Sequence, residues 1–136
     1  MSFEIQAVQE KIGYVANNPK WLEQAFCHKS YHKENPDWEY NEKLEFLGDA
    51  VLDLVISDLL MSKFADDQEG SLSRKRASVV NEDRLCELAR LRSMDQFLLI
   101  GEREANNNLQ SNPRIVASVF EAVVGAIYKD SGFDQV

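Results

Sequence analysis

Apolar residues recur along this chain at three- and four-residue spacing, and no run alternates apolar and polar positions long enough to build a strand. Phe3, Ile5, Val8, Ile12 and Val15 predict an amphipathic helix over residues 3 to 15. Asn17-Asn18-Pro19 then stops one helix and starts the next, with Asn18 placed to cap and Pro19 suited to the first helical position. That second helix runs through Trp21, Leu22, Ala25 and Phe26, and the polar stretch from His28 to Asp37 reads as a surface loop. Asn41 to about Phe64 is the longest periodic segment and is expected to be the central helix.

Beyond it, Asp66 to Gly70 predicts a turn, with Ser71 capping a helix that carries Leu72 and Val79. Asn81 or Glu82 restarts a helix through Leu85, Leu88 and Leu91. Ser93-Met94-Asp95-Gln96 fits a capping box and opens a short helix or turn, while residues 105 to 112 read as a mobile loop. Asn112-Pro113 again gives a cap and a first position for a helix that reaches about Asp130, where Ser131-Gly132 ends it. The expected fold is therefore one all-α domain over residues 1–136.

Composition narrows the class. With 136 residues, 44% apolar and 28% charged, the chain has room for one core, and disorder and low-complexity architecture are excluded. No apolar stretch is long enough for a membrane span, and MSFEIQAVQEKIGY has neither the basic start nor the apolar core of a secretory signal. Cys27 and Cys86 stand far apart with no CxxC, so neither a disulfide framework nor a structural zinc site is expected, and a cytoplasmic location is. The net charge of −8 argues against a simple basic nucleic-acid-binding module.

Carboxylates then change the picture. At about 100° per residue, Glu42, Glu45, Asp49 and Asp53 share one stripe of the central helix, where like charges repel. A solvated acidic face would explain that stripe alone. The last helix, IVASVFEAVVGAIY, is apolar nearly all round, and Glu121 is its only ionisable group. A carboxylate there must be paired, protonated or bound to a cation. Acids from two helices suggest a site for a hard, oxygen-preferring cation such as Mg²⁺. That spacing would serve a nuclease or an all-α nucleoside-triphosphate pyrophosphohydrolase equally.

The residues between and around these acids carry a more specific signal. NEKLEFLGD at 41–49 resembles the signature stretch of the ribonuclease III family of double-stranded-RNA endonucleases. HKSY at 28–31, EGSLSRKRASVVN at 69–81, Ile100-Gly101 with Glu104, and Pro113 through Glu121-Ala122 and Gly125 continue the likeness in order. The resemblance implies an all-helical, homodimeric nuclease domain that cleaves double-stranded RNA, not a small molecule, to 5′-phosphate and 3′-hydroxyl ends. It implies Mg²⁺, with Mn²⁺ as a substitute. By position, Glu45, Asp49 and Glu121 match metal-binding carboxylates, Asp49 and Glu121 lying nearest the chemistry. Glu42 and Glu69 match further acidic positions of the cleavage valley, and Phe46 matches an aromatic residue that inserts into the partner subunit.

Two departures qualify the expectation. The family places an Asp three residues before Glu121, and here that position is Ser118, whose hydroxyl cannot neutralise a metal ion. A non-catalytic RNA-binding or ribosome-assembly module of the same family is therefore the rival reading. The chain is also expected to lack the family's closing helix and its double-stranded-RNA-binding domain. Arg74, Lys75 and Arg76, with His28, Lys29, His32 and Lys33, are the visible candidates for phosphate contacts, or else solvated faces.

Overall fold

A computed structural model describes residues 3–136; Met1 and Ser2, which begin the stretch read as lacking a signal, lie outside the described residues. Eight α-helices follow in order among these residues: α1 (Ile5–Ile12), α2 (Lys20–Ala25), α3 (Lys29–Glu34), α4 (Glu42–Lys63), α5 (Glu69–Val79), α6 (Glu82–Leu91), α7 (Glu102–Asn106) and α8 (Pro113–Ser131). Short 3₁₀ turns cover Met94–Phe97, Leu109–Ser111 and Phe133–Gln135. The only extended pairing described is a single bridge between Cys27 and Leu99. The expected all-α domain is what forms.

Helix α8 is the hub, packed against α4, α6 and α2. Val116, Val119, Ala122 and Ala126 are fully enclosed, and Phe26, Leu22 and Val8 close over them from α1 and α2. Each such side chain contributes about 1.5–3 kcal/mol of transfer free energy, except the small alanines. Asn112 caps α8 as expected, its side chain accepting from the Arg114 N–H at 2.9 Å, and Gly132 ends it at a positive φ of 88°. Asn81 caps α6 in the same way, at 3.0 Å from the Arg84 N–H. Cys27 and Cys86 are both free and buried.

Helices α4 and α8 meet almost backbone to backbone. A Cβ on Gly48 would lie 1.7 Å from the Glu121 carbonyl oxygen, and one on Gly125 would lie 2.3 Å from that of Leu44. Two glycines facing across one crossing permit an approach no larger residue allows. The crossing thereby sets Asp49, next to Gly48, beside Glu121.

Several expectations are corrected. Helix α1 stops at Ile12, not at residue 15, because Gly13 turns left-handed (φ 74°) and its N–H closes on Gln9; Val15 is left exposed. Within the expected loop at 28–37, α3 forms over Lys29–Glu34 because the His28 ring accepts from the Ser30 N–H and starts the turn, and only Asn35 to Asp37 stay irregular. Gly70 and Ser71 lie inside α5, which begins at Glu69, so the turn is confined to the preceding residues and Ser71 bonds Asp67 instead of capping. Ser93 adopts a left-handed φ of 57°, makes no side-chain cap and leads a 3₁₀ turn, so the capping box does not form. Residues 105–112 hold the end of α7 and a 3₁₀ turn in place of a structureless loop.

Candidate functional site

The α4–α8 crossing opens onto a cleft of about 790 Å³. Helix α4 lines it with Glu42, Glu45, Phe46 and Asp49, and α8 with Ile115, Ser118 and Glu121. His28, Asn41, Asn112 and Arg114 complete the wall. Four of the acids singled out from the sequence are thus gathered in one place. Asp49 and Glu42 are exposed, while Glu45 and Glu121 are half-buried.

Glu121 is the electrostatic centre of the group. Burial, a hydrogen bond with Asp49 and the charges of Asp49, Glu45 and Asp53 all push its carboxyl up to about 8. At neutral pH and without a cation, the Glu121 carboxyl therefore keeps its proton. The Ser118 hydroxyl donates to Glu45 Oε1 at 3.0 Å and so ties the third carboxylate to α8. The ion pairs found among the described residues, Lys75–Asp67 and Arg84–Glu87, lie outside this cleft.

The donor set is all oxygen, which suits a hard cation. No group of three His, Cys, Asp or Glu side chains among the described residues forms a ready-made metal cage. A cation bound in the cleft would take the place of the proton that Glu121 now keeps.

Other sequence candidates lie elsewhere. Glu69 is the exposed first residue of α5 and is not part of the cleft wall. Arg74 is exposed, but Lys75 bonds Asp67 and sits 3.7 Å over the Phe64 ring, and Arg76 donates to Ser57 Oγ at 2.9 Å. Those last two fasten α5 to α4 and to the turn before it. His32 bonds the Trp38 carbonyl and packs on Tyr40, while Lys29 and Lys33 stay exposed.

Sequence reasoning missed Asn41, Asn112 and Arg114 as wall residues. Asn41 is 4% exposed, and its Nδ2 donates to the Ala25 carbonyl at 3.1 Å while its backbone N–H donates to Cys27 at 2.9 Å. That pair of bonds fixes where α4 starts, and hence where its acids stand. The signal was available: Asn41 opens the signature stretch and Asn112 is a helix cap.

The comparisons with known proteins converge. A family model described as ribonuclease-III-like matches residues 18–136. Ribonuclease 3 of Bdellovibrio bacteriovorus is 48% identical over 130 residues, which cover 95% of this chain and 56% of that protein. Ribonuclease 3 of Nitratiruptor is 41% identical over 133 residues, covering 98% and 57%. The nuclease domain of ribonuclease III from Campylobacter jejuni has a TM-score of 0.89 at 39% identity, covering 96% of this chain and 89% of that one, and a region of it is involved in dimer formation. The chain spans a little over half the length of the curated relatives it matches.

Proposed function

This chain belongs to the ribonuclease III family, and we propose that it acts as an endoribonuclease on double-stranded RNA, with Mg²⁺ held by Glu45, Asp49 and Glu121. The observation that carries this reading is the glycine crossing, which brings the carboxylates of Glu45, Asp49 and Glu121 to one open cleft. When bound there, Mg²⁺ or Mn²⁺ supplies Lewis acidity toward a phosphoryl oxygen and lowers the pKa of a bound water. The carboxylates of α4 and α8 anchor and orient that ion. Ser118 holds Glu45 in position through its hydroxyl. Glu42 lines the same cleft and orders the water near it.

The active species is a homodimer. Phe46 is 83% exposed, and Leu54 and Met61 extend an apolar stripe about 80° wide along the outer face of α4. Stripes of this kind mark association surfaces, and the family resemblance matches Glu69 to an acidic position of the cleavage valley. Arg74 provides a free cation for phosphate contact. Family membership sets aside the pyrophosphohydrolase reading. Ser118 is the one feature that favours a non-catalytic RNA-binding module instead.

Cleavage of a long RNA duplex in Mg²⁺ separates these readings. This chain is expected to cut, to leave 5′-phosphate and 3′-hydroxyl ends, and to lose activity in Asp49→Asn. Ser118→Asp is expected to raise the rate by about 10–100-fold, the scale on which ligands and their partners act. Failure of both this chain and Ser118→Asp to cut would favour the non-catalytic module.

A further inference from the structure

His28 lines the same cleft as Glu121 and is held in a way that defines its chemistry. The backbone N–H of Ser30 donates to His28 Nδ1 at 3.1 Å, and a backbone amide can only donate. The Ser30 hydroxyl accepts from the Gly101 N–H at 2.8 Å and lies 2.8 Å from the same Nδ1, so its own hydrogen also turns to the ring. Nδ1 is therefore an acceptor, and the proton of the neutral ring sits on Nε2.

The support behind this relay is rigid. Ser30 is 7% exposed, and the His28 N–H donates to the Leu99 carbonyl at 2.9 Å. A Cβ on Gly101 would come within 3.1 Å of the Ser30 carbonyl oxygen, so the corner is closely packed. Burial lowers the proton affinity of His28, and the charges of Glu104 and Glu42 oppose that shift. Among the described residues Nε2 has no protein partner. The ring thus turns one donor toward the cleft and keeps its acceptor for the fold.

From this arrangement we infer that His28 Nε2–H and the Glu42 carboxylate together read a ribose 2′-hydroxyl, which makes His28 a residue that selects RNA over DNA. A 2′-hydroxyl both donates and accepts, and A-form duplexes display it in the minor groove. A fixed neutral donor beside a carboxylate acceptor matches that group. A phosphate oxygen only accepts and would be repelled by Glu42, and a deoxyribose leaves both protein groups unpaired. The inference rests on the reading of this cleft as an RNA site.

The test is a scan of single 2′-deoxy substitutions along a short RNA duplex, with affinity measured by fluorescence anisotropy in low salt without divalent metal. This chain is expected to lose about 5-fold at one position, the scale of one neutral hydrogen bond. His28→Phe is expected to erase that position's penalty, and His28→Gln, which retains an N–H, to keep it. His28→Phe should leave the salt dependence of binding unchanged, because no counterion is released by a neutral donor, whereas Arg74→Ala lowers its slope. A penalty at that position equal in His28→Phe and the unaltered chain overturns the assignment alone. No binding of any RNA duplex by the unaltered chain overturns the proposed function with it. The tautomer is read independently by ¹⁵N NMR of the free protein, where a protonated Nδ1 on the neutral ring would also overturn the inference.

Discussion

A methyl group added at residue 48 would collide with the Glu121 carbonyl at 1.7 Å, and backbone cannot step aside as a flexible side chain does. Gly48→Ala is therefore expected to destabilise the chain by about 3 kcal/mol or more, an overpacking cost at its upper range. Urea denaturation checks this, and a loss under about 1 kcal/mol would mean that the helices do not cross this closely. Glu121 gives the opposite prediction. Its folded carboxyl is raised from 4.5 to about 8, so the folded state binds more protons than the unfolded state between those values. The stability this group contributes is full below about pH 4.5 and is lost as pH rises through 8. Glu121→Gln removes the titration, and the metal-free variant is expected to melt higher than the parent at pH 8, by about 1–2 kcal/mol once solvent screening of a half-exposed group is allowed for. Thermal melts at pH 5 and pH 8 measure it. Glu121 stood out in the sequence because a charge inside an apolar helix has few structural explanations, whereas Asp49 lay in an acidic stripe and was singled out by the family resemblance. His28 was visible only as one of several cations, since its tautomer depends on Ser30 and Gly101, and the latter is far away in sequence.

Helices α4 and α8 could be read from the chain because long periodic segments leave little choice, and α8 also opens on an Asn cap. Helices α3 and α7 could not, at six and five residues, because so short a run shows no period and owes its form to caps and tertiary bonds. The corner joining α1 and α2 to the end of α8 is of the same tertiary kind. Asp130 accepts from the backbone N–H groups of Asn17 and Asn18 at 2.8 and 2.7 Å and from the Tyr14 hydroxyl. Burial works against the ionised form of Asp130, but these bonds together outweigh it and hold its carboxyl below the usual range. Its contribution is present above the ordinary carboxylate pKa and is lost as pH falls through the depressed value. Asp130→Ala is expected to cost about 1 kcal/mol at pH 7, solvent screening of a partly exposed group allowed for, and less in acid. Hydrogen exchange should rise first at residues 14–18, and unchanged protection there would remove Asp130 from this role.

For the molecule as a whole, the acidic balance looked unsuited to a polyanion partner until the acids were found together in one cleft. What the sequence could not display is that Lys75 and Arg76 are committed to packing away from the cleft, leaving Arg114 as the arginine of its wall. RNA affinity of this chain is accordingly expected to be weak and to fall steeply with salt. The exposed stripe of Phe46, Leu54 and Met61 belongs to this scale too. Phe46→Ala is expected to shift sedimentation from dimer toward monomer without lowering helix content, and an unchanged dimer would remove Phe46 from the interface. No described helix is long and apolar enough to cross a membrane.

The carboxylates at the α4–α8 crossing are the centre of the account, and Mn²⁺ titration followed by paramagnetic broadening of backbone amide resonances tests them without any need for cleavage. Broadening that begins at Glu45, Asp49, Ser118 and Glu121 and vanishes in Asp49→Asn is the predicted result. Broadening that starts elsewhere, or that is the same in Asp49→Asn, would contradict it.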